Sequence, residues 1–498
     1  MNVNPITRLD YPDPDVIRVE DTYYMVSTTM HFMPGCEILQ SFDLVHWEHA
    51  TYVYETLDHT DAQQLKSGQN IYGQGMWAAS LRYHEGRFYI CFVANDTRKT
   101  YLYTSEKIDG PWKKQLIEGF YHDGSLLFDE DGRNYIVYGN DEIWITELNE
   151  DLTAPKKDGL HRLLVSDHKN PELGYEGSHI QKINGYYYIF LVHSLRDRWM
   201  RTEACFYSDS LEGEFTGGDV LCDDRGYCGQ GVAQGGIVDT PDGKWYAMLF
   251  QDSGAVGRIP ILLPVTWKDH FPFFGQNGHV PEEIEVHSTR PGYIYQPLVG
   301  SDDFCNGLLP RWQFNHDPDP RYYHLDALQG TYTITTREVC TELTQAVNTL
   351  TQRMSYPSCA AEVTVDASAL KEGDVAGLCA LQGCYAAVGI TKHHGKYEVL
   401  MLDKKEDGIL DMTEGTVVES HQMDFRLEAD FCNMKDEARC YYRVNKGDWL
   451  PIGTVHKLYF KLDHFTGCRF GLFCYAAEKT GGSACFRDFK YYDVDEIS

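Results

Sequence analysis

The sequence predicts an all-β protein, a five-bladed β-propeller followed by a β-sandwich. Three observations carry this. An apolar strand, a polar turn and an aromatic-rich strand recur five times in the first half of the chain. The copies are spaced by roughly 45 to 65 residues, room for about four strands each, the size of a propeller blade. After residue 300 that pattern stops and shorter alternating segments take over. A chain of 498 residues is also too long for one ordinary core, so two domains are expected.

The five hairpins run in order. DVIRVEDTYYMVS turns at Glu20-Asp21, SLRYHEGRFYICFV at Glu85-Gly86 and SLLFDEDGRNYIVYG at Asp131-Gly132. HIQKINGYYYIFLV turns at Asn184-Gly185 and GIVDTPDGKWYAMLF at Asp242-Gly243. Asp-Gly and Asn-Gly between alternating apolar runs are strong hairpin signals, because both residues tolerate positive φ. A sandwich with frequent hairpins would give some of the same signals; the blade-sized spacing favours the propeller. VPEEIEVHSTRPGYIYQPLVG breaks the pattern and is expected to be the linker, which divides the chain into 1–297 and 298–498. Beyond it, GTYTITT, AAEVTVDA, KYEVLMLD and ARCYYRV alternate apolar and polar residues. That is the signature of half-buried antiparallel strands in a two-sheet sandwich or jelly roll.

Charge narrows the function. A formal net charge of −30 argues against nucleic acid and against an anionic membrane surface, and leaves neutral ligands such as sugars untouched. No stretch approaches the length of a membrane span. The first 16 residues lack an apolar run, and fifteen cysteines are scattered without CxxC pairs. Both features lead us to expect a reducing cytoplasm.

One residue upstream of each hairpin holds a similar place: Asp13, Trp77, Asp123, Glu176 and Gln234, each 11 or 12 residues before an aromatic of the second strand. In a propeller the innermost strands line the axis, so these five should converge on one funnel mouth. Singly, Asp13 and Asp123 could simply cap turns. Three carboxylates in register point instead to glycoside hydrolysis, where one carboxyl stays protonated as acid and another stays ionised as base. A third can hold the proton on the acid by like-charge repulsion. A calcium cage is the competing chemistry.

These stretches also resemble glycoside hydrolase family 43. NPITRLDYPDPDVIRVEDTYYMVS is similar to the opening of its propellers, and FMPG, MWAAS, HDGSLLFDEDGR, YEGSHIQKINGYYY and GRIPILLPVTW follow in the family's order over about 270 residues. The resemblance implies an inverting mechanism, with Asp13 as general base, Glu176 as general acid and Asp123 tuning and orienting the acid. It places Trp77 on the wall of the terminal-sugar pocket, Phe32 on a pocket-lining loop, and Arg258 within reach of sugar hydroxyls. Many relatives carry His beside a central metal or water where this chain has Gln234, which puts a metal in doubt. WQFNHDPD, NTLTQR and HFTGCRFGLFCYA resemble the concanavalin-like C-terminal module of family xylosidases and arabinofuranosidases, which in some members lends a loop to the active-site rim.

The function expected is exo-acting release of a terminal pentose, α-L-arabinofuranose or β-D-xylose, from hemicellulose oligosaccharides. The alternative is a non-catalytic carbohydrate-binding protein on the same scaffold. No cofactor is expected to be required. A structural calcium could sit between SDDF and FRDF, where turn capping is the competing role.

Overall fold

A computed structural model describes residues 3–493. Five four-stranded antiparallel sheets form the propeller. Their innermost strands are Asp15–Val19, Ser80–His84, Ser125–Phe128, Glu176–Ile183 and Ala233–Asp239. The expected turns fall into two kinds. Glu20-Asp21, Glu85-Gly86 and Asn184-Gly185 close two-residue hairpins, as the pairs Val19–Thr22, His84–Arg87 and Ile183–Tyr186 show. The other two are five-residue loops between Phe128 and Asn134 and between Asp239 and Trp245. There Gly132 and Gly243 still supply the positive φ (82° and 80°). The N-terminal segment closes the ring by lying along the last blade: Ile6 N donates to Pro260 O (2.8 Å) and Tyr11 N to Arg258 O (3.0 Å).

The second half is a sandwich of a nine-stranded and a seven-stranded sheet. The alternating segments become the strands Thr331–Thr335, Ser358–Asp366, Lys396–Lys404 and Glu437–Val444. Phe425, Leu427, Val363, Leu378, Val388 and Phe470 pack between the sheets. No propeller or sandwich strand lies between Phe274 and Gln313. That stretch wraps back over the first blade, where Gln296 N donates to Glu48 (2.8 Å) and Arg290 pairs with Asp21 (2.8 Å). Among the described residues helices are limited to four 3-10 turns, and none is long and apolar enough to cross a membrane.

The two halves interlock. A two-residue strand of the propeller chain, Phe32–Met33, pairs with Phe314 and Asn315 and becomes the edge of the larger sandwich sheet. This corrects the expectation for Phe32: the pairing carries its ring into the seam, fully buried, with the Arg469 guanidinium 3.4 Å from its centre. Beside it Arg353 pairs with Glu37 (2.8 Å), both buried. His31 packs edge-on against Tyr72 and His464 and tilted against His316, at 4.8–5.0 Å between ring centres. Burial drives all three histidines toward the neutral form, His464 down to about 3. In SDDF, both Asp302 oxygens are engaged, by Phe304 N (2.7 Å) and the Trp312 indole (2.8 Å), while its backbone pairs with Phe489. The capping role therefore accounts for this carboxylate.

Candidate active site

The pairing of the inner strands shows how the propeller gathers its site. Asp15, Ser80, Ser125, His179 and Gly236 lie opposite Val26, Cys91, Val137, Phe190 and Met248. Asp15 accepts Leu81 N, Ser80 accepts Leu126 N and Ser125 accepts Ile180 N, each bond reaching one blade onward. These residues form one layer across the axis. Arg82 fills its centre, donating to Asp15 (2.7 Å), Ser125 (2.7 Å) and the carbonyls of Leu126 and Ile180. His179 Nδ1 lies 3.1 Å from Asp15. The layer separates two hollows that share no lining residue.

Two residues above that layer stand Asp13, Asp123, Gly177 and Gln234, all with positive φ (53°, 47°, 66° and 63°). One further up stand Trp77, His122 and Glu176. The expected ring of five is thus two interleaved rings: Asp13, Asp123 and Gln234 share one register, Trp77 and Glu176 the next. A bulge in each of the fourth and fifth blades, between Glu176 and His179 and between Ala233 and Gly236, makes the turn. Left-handed backbone at non-glycine residues costs on the order of 1 kcal/mol each. Here it aims side chains into the funnel that straight strands would point elsewhere.

The resulting cavity has a volume of about 590 Å³. Asp13, Asp123, Glu176, Trp77, Gln234 and Arg258 all line it, so six of the seven expected residues meet there. Asp13 is buried, with one oxygen accepting Thr28 Oγ1 (2.6 Å) and the other Arg258 (3.1 Å). Both oxygens are held as acceptors. Glu176 is less enclosed, and its Oε2 accepts from Asn140 (2.7 Å). Asp123 accepts Gly177 N (3.0 Å) and so grips the backbone directly after Glu176. Burial pushes the Asp123 carboxyl up to about 6; the His122 charge opposes this, and those of Glu176 and Asp13 add to it.

Several site residues were not singled out in the sequence. His122 Nε2 lies 3.5 Å from Glu176 and 3.6 Å from Asp123, and chiefly the Asp123 charge raises it to about 9. Its signal was adjacency to Asp123 in HDGS. Arg201, held by Asp252, is lowered to about 10 by burial and by the neighbouring Arg258. The sandwich supplies part of the wall, Met434, Phe460, Lys461, Leu462 and Phe465. The Arg258 guanidinium lies 4.3 Å from the Phe465 ring centre. The clustered aromatic and basic residues of LYFKLDHF were the only hint of that rim.

His122, Asp123 and Glu176 are the one trio of possible metal ligands among the described residues, with atoms within 4.8 Å of one another. They do not fit a resident cation, because chiefly the Asp123 charge raises His122 to about 9 and so keeps a proton on the ring nitrogen that a metal would need. Gln234, where relatives are expected to carry His, packs its side chain over Gly177.

A propeller funnel that holds three carboxylates at its mouth, walled by aromatic and guanidinium side chains, defines a glycoside hydrolase. Residues 3–272 match glycosyl hydrolases family 43, and residues 301–492 match the beta xylosidase C-terminal concanavalin A-like domain. The chain belongs to family 43. It is 26% identical to a beta-xylosidase of Formosa agariphila, over 99% of this chain and 89% of that protein. It is also 26% identical to a non-reducing end alpha-L-arabinofuranosidase of Bacteroides ovatus, over 66% and 63%. Among solved structures, a bifunctional GH43-CE protein of Bacteroides eggerthii superimposes with a TM-score of 0.92 at 42% identity. That match covers 99% of this chain, which spans 63% of the length of that protein. A GH43 glycoside hydrolase engineered to display endo-xylanase and exo-arabinofuranosidase activity matches at 27% identity and TM-score 0.86, over 99% of both chains.

Proposed function

We propose that the protein is an inverting, exo-acting glycosidase that releases single terminal pentoses, α-L-arabinofuranose or β-D-xylose, from arabinoxylan and xylan oligosaccharides. The observation that carries this reading is the make-up of the site: the three carboxylates line one hollow with Trp77 and Arg258, and the sandwich loop that carries Phe460, Leu462 and Phe465 walls one side of it. Such a hollow accepts a chain end. Glu176 protonates the glycosidic oxygen as the bond breaks, and Asp13 takes a proton from the attacking water on the opposite face. Asp123 keeps the acid protonated and holds its backbone. Trp77, Gln234 and Arg258 bind the terminal sugar. The names of the relatives, beta-xylosidase and alpha-L-arabinofuranosidase, support both pentoses, and fifteen free cysteines support a reducing cytoplasm.

Arabinoxylan oligosaccharides and xylobiose, incubated separately, test the reading. Monosaccharide should appear from the outset without mid-length oligomers, and NMR of the first-formed sugar should show the anomer opposite to that of the substrate. A retained anomer would reject inversion; early oligomers would reject exo action.

A further inference from the structure

Two large apolar side chains on the pocket lining are left open to solvent: Trp199, 43% exposed, and Leu462, 68% exposed. They come from different domains. Trp199 sits on the short loop between the strands Tyr186–Ser194 and Arg201–Ser208 of the fourth blade, beside the strand that begins with Glu176. Leu462 sits on the sandwich loop that carries Phe460 and Phe465.

The Trp199 loop is fixed before any ligand arrives. Ser194 Oγ donates to Arg198 O (3.2 Å) and accepts Met200 N (2.8 Å), which closes the loop across its base. Leu195 N donates to Met200 O (3.2 Å), and Arg196 is paired with Asp167. The indole joins no apolar cluster of the propeller. Its described contact is the Arg201 guanidinium, 5.2 Å from the ring centre. Elsewhere on the lining of the same cavity, the Leu462 backbone is seated on Gly73, where a Cβ would lie 2.3 Å from Leu462 O. A solvent-facing indole at a pocket mouth costs hydration, and the Arg201 contact returns little to the fold. It is the arrangement of a ligand surface.

We propose that Trp199 and Leu462 form the subsite for the leaving-side sugar, and that its occupant is a xylopyranose ring of the remaining chain. The inference rests on the proposed hydrolysis. A β-xylopyranose carries its hydroxyls around the equator and presents C–H faces above and below, with no hydroxymethyl arm. Such a ring lies flat against an indole, and an aliphatic side chain covers its other face. The terminal sugar is held deeper, by Arg258, Trp77 and Gln234. Trp199 and Leu462 therefore select what leaves.

The test compares each substrate with a version whose leaving group has no ring. For arabinosyl-xylotriose and xylobiose, kcat/KM is measured beside the trifluoroethyl glycoside of the same pentose. In Trp199→Ala the ratio of oligosaccharide to trifluoroethyl glycoside should fall about tenfold to thirtyfold, the usual effect of truncating a well-packed tryptophan. Trp199→Phe should recover part of it, and Leu462→Ala should move it the same way by less. A ratio within threefold of wild type, or equal losses on both substrates, overturns the subsite. A wild-type enzyme inert to every one of these substrates overturns the hydrolysis itself, so the two failures are distinct.

Discussion

Asp10 joins Gly467 of the sandwich to the propeller: one carboxylate oxygen accepts Gly467 N (2.8 Å), while the other accepts Arg258 N (2.8 Å). The carboxylate is buried, and neither neighbour leaves it room to move. A Cβ at Gly257 would lie 2.3 Å from Asp10, and one at Gly467 would lie 2.2 Å from Val256 O. The loop that brings Phe465 onto Arg258 is thus tied to the strand that carries Arg258. Asp10→Ala should lower kcat/KM at least about tenfold and cost roughly 1–3 kcal/mol, since two buried N–H groups lose their acceptor. Steady-state kinetics with urea unfolding checks both.

Glu176 and Asp13 should separate by leaving group. Glu176→Gln should lose on the order of 100-fold or more on xylobiose and much less on nitrophenyl pentosides, which leave without a proton. Asp13→Asn should lose a similar factor on all substrates, because the attacking water is the same for each. Equal losses for Glu176→Gln on both substrate types would remove it from the role of acid.

Asp123 gives two pH effects. With its negative charge gone, the acid holds its proton less tightly, so in Asp123→Asn the alkaline limb of kcat/KM should move toward acid. Stability should move too. The folded pKa of about 6 lies above the unfolded value near 3.8, so ionisation is penalised in the fold. That penalty is fully present above pH 6, shrinks between 6 and 4 and vanishes below. Asp123→Asn should therefore stabilise the protein at pH 7.5 by on the order of 1–3 kcal/mol and not at pH 4. Thermal unfolding at the two pH values reads the sign.

The histidine stack predicts sensitivity to acid. His31, His316 and His464 are held neutral by burial, with folded pKa values below the usual 6.5. Their contribution is intact above pH 6.5 and is lost as the pH falls, for His464 down to about 3, at about 1.4 kcal/mol per unit for each group. His464→Phe keeps a ring in the stack and removes one titration. Its stability should fall less steeply than wild type between pH 6.5 and 4.5, measured by urea midpoints.

Metal removal should not matter to turnover. With Gln234 at the position expected of His, activity after dialysis against EDTA should equal that before, and zinc should not raise it. Activity lost on chelation and restored by zinc would contradict this.

Five hairpins and three carboxylates were legible because each is a local signal: a turn residue between alternating strands, or a side chain at a fixed distance before one. Phe32 was misplaced because its environment is set by Phe314 and Asn315, some 280 residues away, and no periodicity in HFMPG announces a sandwich edge. The rim residues Phe460, Leu462 and Phe465 share that non-local origin. The split of the ring into two registers was hidden because the aromatics that align the repeats lie at unequal distances from the layer: Phe88 and Tyr187 follow Ser80 and His179 more closely than Tyr24, Trp245 and Tyr135 follow Asp15, Gly236 and Ser125. Asp13, Asp123 and Gln234 reach one register only through positive φ, which an aspartate or glutamine does not advertise as glycine does.

The Arg82 layer has a consequence for traffic. With Asp15, Ser125 and His179 gathered around one guanidinium, the hollow that holds the carboxylates shares no lining residue with the hollow beyond the layer. If release is from the chain end, as proposed, whatever is cut off lies innermost, behind the portion of chain that brought it in. The longer fragment has to step out before the small one can follow, and no chain can be threaded through for a second cut. Each turnover is a complete visit, and a freed sugar that lingers keeps the next customer waiting outside.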